Sequence, residues 1–220
     1  MEVINLIKLL GLDERCLDKV TSALVHSSYA NEHHLKSNER LEYLGDAVLE
    51  LCMSTYLYNK VDEDEGVLTV KRAQSVREEA LAIYAEKINL KDYLLLGKGE
   101  EKTNGRDNKA IIADAFEAVL GAVYLTYGFE TTYEVFKKIV LPYQNEVLNI
   151  KDYKSIFQEQ MQSEKRNIKY EIVGESGPTH DKVFEACVYV DELIYGRGTG
   201  KTKKEAEQYA AKEALLKRAK

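Results

Sequence analysis

The chain has 220 residues, 45% of them hydrophobic, and a formal net charge of −6. That length holds one large domain or two small ones, and that apolar fraction excludes a chain disordered throughout. The negative balance argues against a binder that is basic along its whole length. No run approaches about 18 uninterrupted apolar residues, so neither a signal peptide nor a membrane span is expected.

The charge is unevenly spread. Residues 1–150 carry 17 Lys and Arg against 25 Asp and Glu, a balance of −8, and residues 151–220 carry 14 against 12, a balance of +2. An acidic body with a more basic appendage suggests two parts with different partners. Cys16, Cys52 and Cys187 are odd in number, far apart and set in apolar patterns. They read as core thiols of a reducing compartment, not as a disulfide framework or a zinc site.

Residues 2–10 are apolar-periodic and stop at Gly11, a helix C-cap signal. Asp13 opens a second helix running to about Val25. His26 to Tyr29 and Asn31 to His34 read as a polar connection, and neighbouring His33 and His34 diverge too far on a helix to share a metal. Ser37 or Asn38 is placed to cap the next helix, which runs to about Asn59.

That helix carries the chemically odd stretch, Asn38 to Leu51. Leu41, Leu44, Val48 and Leu51 recur at the spacing of an apolar helix face. Glu39, Glu42 and Asp46 follow the same rhythm and project in nearly one direction. Like charges stacked along one helix face repel by a few tenths of a kcal/mol per pair, about 0.3. Solvent, basic partners or a cation must offset that.

Asp62 to Glu65 form an acidic turn suited to a helix N-terminus. The helix after it is basic at Lys71, Arg72 and Arg77, apolar at Ala73, Val76, Ala80, Leu81 and Tyr84, and expected to end near Ile88. Tyr93 to Leu96 is a short apolar run. Gly97 to Asp107 is rich in Gly and charge, the composition of a mobile surface connector.

The helix around Ile111 to Val123 is apolar nearly all round, yet Asp114 and Glu117 sit in its middle at i, i+3. Buried carboxylates are costly unless paired or metal-bound. Gly121 suggests a close backbone approach to a neighbour. A further helix, about Glu130 to Val147, must kink or break at Pro142. No segment before residue 150 alternates as a strand should, so this part reads as all-α.

The character changes near Asn149 to Asp152. Asp152 is placed to cap a short helix through about Glu164. Lys169–Val173, Val183–Val190 and Leu193–Gly198 then read as strands, rich in β-branched and aromatic residues. A last helix runs from about Thr202 to Lys217. The order α-β-β-β-α marks a small separate α+β domain.

Two constellations carry chemistry. Glu42 and Asp46 on one helix, facing Asp114 and Glu117 on another, would make a cage of hard oxygen donors for a divalent cation such as Mg²⁺. The competing explanation is structural ion pairing with Arg40, Lys71 or Arg106, but the apolar frames of these helices hold too few basic residues. The second constellation is Lys201, Lys203 and Lys204 at a helix start. The dipole disfavours cations there, and phosphates would offset that. Gly200-Lys201-Thr202 imitates the end of a P-loop. The first glycine would have to stand at Tyr195, and no parallel strand precedes it, so that reading fails.

The run Asn38-Glu39-Arg40-Leu41-Glu42-Tyr43-Leu44-Gly45-Asp46 resembles the signature of the ribonuclease III family. Ala113-Asp114-Ala115-Phe116-Glu117-Ala118 resembles its second catalytic motif. Gly177-Pro178-Thr179-His180 and Lys203-Lys204-Glu205-Ala206-Glu207 are similar to motifs of a double-stranded RNA-binding domain. The resemblance covers nearly the whole chain, in the domain order of bacterial members: an endonuclease domain at 1–148, a linker at 149–151 and an RNA-binding domain at 152–220.

The resemblance implies a cytoplasmic endoribonuclease, a homodimer with no membrane partner. It would cut both strands of double-stranded RNA with Mg²⁺, Mn²⁺ being a substitute, and process rRNA or mRNA precursors. Glu42, Asp46, Asp114 and Glu117 match the metal carboxylates, with Asp46 and Glu117 tied to catalysis. Glu39 and Glu65 match acids at the dimer and substrate interface. Gln158, Gln162 and His180 fall where such domains meet minor grooves, and Lys201, Lys203 and Lys204 where they clamp phosphates. Tyr43 stands where Phe is common, and Glu207 where some domains carry a third lysine. A catalytically silent RNA-binding scaffold of the same fold is the alternative, and the presence of all four carboxylates tells against it.

Overall fold

The computed structural model of the chain describes residues 2–148, 153–177 and 182–218. They fall into two compact units, Met1–Leu57 with Ser75–Val147, and Tyr58–Gln74 with Leu148–Lys220.

The first unit is helical. Its elements are α1 (Val3–Leu10), α2 (Leu17–Ala23), α3 (Ser27–His33), most of α4 (Glu39–Lys60), α6 (Glu78–Lys87), α7 (Lys98–Lys102), α8 (Lys109–Ile139) and α9 (Gln144–Leu148). Gly11 ends α1 in the left-handed conformation, its N–H returning to the carbonyls of Ile7 and Lys8, as the sequence suggests. The centre of α8 is the core. Ala115, Phe116, Ala118, Val119, Leu120, Ala122 and Val123 are all buried there, a continuous apolar surface that neighbouring helices cover on every side. By length and composition the stretch Lys109–Leu148 would also suffice to cross a membrane, but most of it is buried.

The elements depart from expectation at definite places. The segment expected to be a polar connection contains α3, whose last turn stacks His33 on Tyr29 at 4.0 Å between ring centroids. The helix expected to run on to Ile88 is two helices, α5 (Glu65–Val76) and α6, because Arg77 adopts an extended backbone, φ −71°, ψ 160°. No Gly or Pro announces that break. The Gly97–Asp107 segment is not a loose connector. It folds into α7 and a 3₁₀ turn, held by Arg106 bonding the Lys91 carbonyl at 2.8 Å and Glu101, and by a Lys91–Asp107 ion pair at 2.8 Å. Elsewhere expectation is met: α8 is two helices joined at Gly128, where φ is 78° and ψ −175°, so a new helix does begin near Glu130, and it ends at Ile139 before the 3₁₀ turn Leu141–Tyr143 that contains Pro142. Leu51, expected in the core, is 51% exposed, while Leu49, Cys52 and Met53 carry the buried face of α4.

The second unit contains α5 residues up to Gln74, α10 (Tyr153–Ser163), β1 (Ile168–Ser176), β2 (Val183–Val190), β3 (Leu193–Gly200) and α11 (Lys203–Arg218). The strands form an antiparallel meander in the order β1-β2-β3, with Tyr170 opposite Val188 and Val188 opposite Gly196. Ala186, Val188 and Val190 on one face of β2 join Ile156, Phe157 and Met161 of α10, Ala206, Ala210 and Ala214 of α11, and Val70 of α5 in one core. Alternate residues of β3, Gly196, Gly198 and Gly200, present bare backbone to α11. A Cβ on any of them would run into the helix at Ala210, Ala206 or Glu205. Small residues spaced two apart on the strand and four apart on the helix thus let the two lie backbone to backbone. These are the glycines that imitate a P-loop in the sequence. The Cys187 thiol, like those of Cys16 and Cys52, is buried and free. Residues 149–152 and 178–181, which include the expected linker, the Asp152 cap and His180, lie outside the described residues.

Candidate active site

Two glycines build the site. Gly45 of α4 and Gly121 of α8 meet where these helices cross. A Cβ on Gly45 would fall inside the Glu117 carbonyl group, and one on Gly121 would strike the Leu41 carbonyl and lie 3.1 Å from the Gly45 nitrogen. The backbones therefore touch, closer than any pair of side-chain-bearing helices allows. Glu42 and Asp46 flank Gly45 on one helix. Glu117 lies one turn before Gly121 on the other, and Asp114 one turn before that. The crossing brings the four acids near enough for their charges to act on one another.

Their electrostatics show the crowding. Burial raises the Glu117 pKa most, and Asp46, Asp114, Glu42 and Glu50 add to it, together pushing it up to about 8. Burial also lifts Glu42, followed by Asp114, Glu39 and Asp46. Asp114 is raised by burial and then by Glu78, and His26 partly offsets this. None of the ion pairs among the described residues involves these four acids. Arg106 is engaged with Glu101, and Lys71 lies 3.9 Å from Glu63. The salt-bridge explanation of the cluster is therefore not realised.

The donor set fits a hard divalent cation, being all carboxylate oxygen, with His26 offsetting only part of the effect at Asp114. Among the described residues, no three His, Cys, Asp or Glu side chains already stand at metal-holding spacing. The acids are gathered by the contact of their two helix backbones at Gly45 and Gly121.

Other expected site residues lie as follows. Glu39 is exposed at the start of α4 and accepts a hydrogen bond from the Ser37 hydroxyl at 2.6 Å. Asn38 is buried, and its amide donates to the Ala23 carbonyl at 3.2 Å, tying the start of α4 to the end of α2. Glu65 is exposed in the first turn of α5. Glu78 and His26, both acting on Asp114, escaped the sequence reading. Each comes from a separate segment, and neither breaks an apolar pattern, so only the fold places them beside the cluster.

In the second unit Gln158 and Gln162 are exposed one turn apart on α10. Lys201, Lys203 and Lys204 are exposed around the start of α11. Thr202 and Glu205 form the cap there: the Thr202 hydroxyl accepts from the Glu205 N–H at 3.1 Å, and the Glu205 carboxylate accepts from the Lys201 N–H at 2.9 Å. The cap thus fixes the backbone that carries the three lysines, whose side chains are exposed. Lys203 spans the Phe184 ring at 6.0 Å from its centroid.

Comparison with known proteins places the fold in a family. Residues 18–143 match the family model described as Ribonuclease-III-like, and residues 153–218 match the double-stranded RNA binding motif. The chain is 50% identical over 218 residues to Ribonuclease 3 of Onion yellows phytoplasma (strain OY-M), covering 98% of this chain and 91% of that protein. It is 45% identical over 212 residues to Ribonuclease 3 of Listeria welshimeri, covering 93% of each. The solved nuclease domain of ribonuclease III from Campylobacter jejuni superposes with a TM-score of 0.59 at 35% identity, over 63% of this chain and 97% of that one. With a helical unit carrying the crossed carboxylates and an α-β-β-β-α unit after it, the chain belongs to the ribonuclease III family, the endoribonucleases of double-stranded RNA.

Proposed function

We propose that Glu42, Asp46, Asp114 and Glu117 hold Mg²⁺, with Mn²⁺ as a substitute, and that Asp46 and Glu117 act most directly in cleavage. The observation that carries this reading is the Gly45–Gly121 crossing, whose two backbone contacts bring together four carboxylates that form no ion pair among the described residues. When bound, the ion supplies Lewis acidity and a water nucleophile at the scissile phosphate. The chain's own work is positional. Leu49, Cys52 and Met53 on α4 and the apolar centre of α8 fix the two helices. The four acids bring the negative charge that a dication neutralises before an RNA phosphate approaches. The products would carry 5′-phosphate and 3′-hydroxyl ends.

Residues 1–148 are read as the endonuclease domain, 149–151 as a linker and 152–220 as the RNA-binding domain. Gln158, Gln162 and His180 are assigned to minor grooves, and Lys201, Lys203 and Lys204 to phosphates. An A-form duplex is read by shape and 2′-hydroxyls, so little sequence preference is expected from this domain. Two cuts, one per strand, call for two copies. Tyr43, 83% exposed, and Leu51, 51% exposed, leave an apolar stripe on α4 that a second copy would cover, with Glu39 and Glu65 serving the same interface and substrate. The enzyme is read as cytoplasmic and as a processor of rRNA or mRNA precursors.

The deciding assay incubates a long RNA duplex with and without Mg²⁺, using the wild type and Glu117→Gln. Cleavage that needs Mg²⁺ and disappears in the variant is the expected result. Cleavage without Mg²⁺, or full activity in the variant, refutes the assignment. Binding without cleavage by the wild type would identify a scaffold.

A further inference from the structure

We propose that Glu207 sets how tightly the RNA-binding unit grips a duplex: it holds Lys154 in an ion pair and so withholds a further phosphate-binding lysine from the face that meets RNA. The proposal rests on the reading of Lys201, Lys203 and Lys204 as phosphate contacts.

Lys154 belongs to that face by position. It lies in the first turn of α10 and precedes Gln158 and Gln162 by one and two turns. It stands where their exposed stripe borders the buried stripe of Phe157 and Met161. Glu207 lies one turn after Lys203 and Lys204 on α11. The two residues therefore join the helix assigned to the minor groove to the helix start assigned to phosphates.

The lysine is held at three points. Its ammonium donates to the Glu207 carboxylate at 2.6 Å, and its backbone N–H donates to the Gln208 side-chain carbonyl at 3.0 Å. The ammonium also sits over the Tyr170 ring, 4.5 Å from the centroid. The Tyr170 hydroxyl is buried and takes no hydrogen bond among the described residues, so Tyr170 gives Lys154 only its face. The side chains of Lys154 and Glu207 are 34% and 23% exposed, so the pair is within reach of a polyanion.

A pair this open to solvent adds little to stability, and its larger effect is on charge. A lysine spent on a carboxylate releases no counter-ion from RNA, whereas the same lysine on a phosphate releases about one. One charge weighs heavily here, because residues 151–220 carry a balance of only +2. The restraint has a use in turnover. The products of cutting a duplex are themselves duplexes, so a unit that reads A-form shape holds product as it holds substrate. A grip below its maximum lets the cut ends leave.

A double-mutant cycle on the full chain tests this: wild type, Glu207→Gln, Lys154→Met and the double variant. Binding of a long RNA duplex is measured without Mg²⁺ across a salt series, with a thermal melt of each protein. Glu207→Gln should bind about tenfold tighter at low salt, with a salt slope steeper by about 0.9. The double variant should lose that added slope and most of the added affinity. Lys154→Met alone should leave the slope at the wild-type value, because its charge is already spent. The cycle is repeated with Lys154→Gln so that one poorly folded variant does not decide it. No gain in Glu207→Gln overturns the proposal. So does a gain that survives loss of Lys154, which would come from the Glu207 charge alone. A slope flattened by Lys154→Met alone also overturns it, since Lys154 would then already bind phosphate. Replacing Lys201, Lys203 and Lys204 together by Ala, run alongside, separates the two readings. If that variant keeps the wild-type slope, the face itself is wrongly assigned; if its slope falls while Glu207→Gln gains nothing, only the role of Glu207 fails.

Discussion

Glu117 shows what a single residue contributes when its neighbours share its charge. Its carboxyl is pushed up to about 8, first by burial and then by Asp46, Asp114, Glu42 and Glu50, from an ordinary value of 4.5. Without metal, the folded state therefore holds this proton more tightly than the unfolded state does. The resulting stability is fully present below about pH 4.5 and is lost as the pH rises through about 8. At 1.36 kcal/mol per unit the loss is on the order of a few kcal/mol. Urea titrations of the metal-free protein should show stability falling across that window, a slope that Glu117→Gln flattens. Mg²⁺ should raise the wild-type melting temperature most at pH 8 and raise that of Glu117→Gln far less. A metal-free protein whose stability does not change between pH 5 and pH 8 would remove the basis for the crowded-carboxylate reading. The four acids were legible in the sequence because each stands inside an apolar helical pattern where a charge is out of place. Glu78 and His26 were not, because a polar residue at a helix start violates no pattern, and only the fold brings it to Asp114.

At the scale of elements, glycine lets backbones touch in two places, one of them foreshadowed by Gly121 in the sequence. The α4–α8 crossing and the α11–β3 contact both depend on backbones that touch. Gly198→Ala forces a methyl group into the Ala210 and Ala206 backbone, where no flexible side chain is available to yield. A loss of about 3 kcal/mol or more is expected, in the upper range of overpacking costs. Duplex binding should fall with it, as a thermal melt followed by a gel-shift assay would reveal. Thr202→Ala is milder. It removes one cap bond and should cost about 1 kcal/mol. The lysines beside that cap act through charge, so replacing Lys201, Lys203 and Lys204 together by Ala should lower the salt slope of duplex binding by about 2 to 3. An unchanged slope would place the phosphates elsewhere. Helix and strand types were readable from periodicity, down to the β2 bounds. Three features were not: α3, whose polar sequence carries no apolar stripe, the break at Arg77, which is held by an extended conformation open to any residue, and the order in Gly97–Asp107, which comes from bonds to Lys91. The Gly196, Gly198 and Gly200 series was visible, but its meaning needed the matching alanines of α11 to be set opposite it.

At the scale of the whole molecule, the net charge and the outward face of α4 decide how copies and substrate come together. The body that carries the carboxylates is acidic, so long-range charge repels RNA from it, and the +2 of residues 151–220 supplies the attraction. Cleavage of both strands further needs two carboxylate clusters on one duplex. Tyr43 and Leu51 lie two helical turns apart on α4, exposed while Val48, Leu49, Cys52 and Met53 are buried. A monomer that left Tyr43 and Leu51, with Tyr58 further along the same helix, in solvent would gain nothing from them, whereas a two-fold partner would bury them. Leu51→Lys places a charge in that surface without touching the buried face, the glycine crossing or any of the four acids. Sedimentation should show the wild type as a dimer and the variant as a monomer, with the Mg²⁺-dependent rise in melting temperature retained. Cleavage of a long duplex should drop at least tenfold and recover as protein concentration rises, since mass action restores the pair. A variant that remains dimeric and fully active would mean that the copies meet through another face and that this stripe of α4 has a different partner.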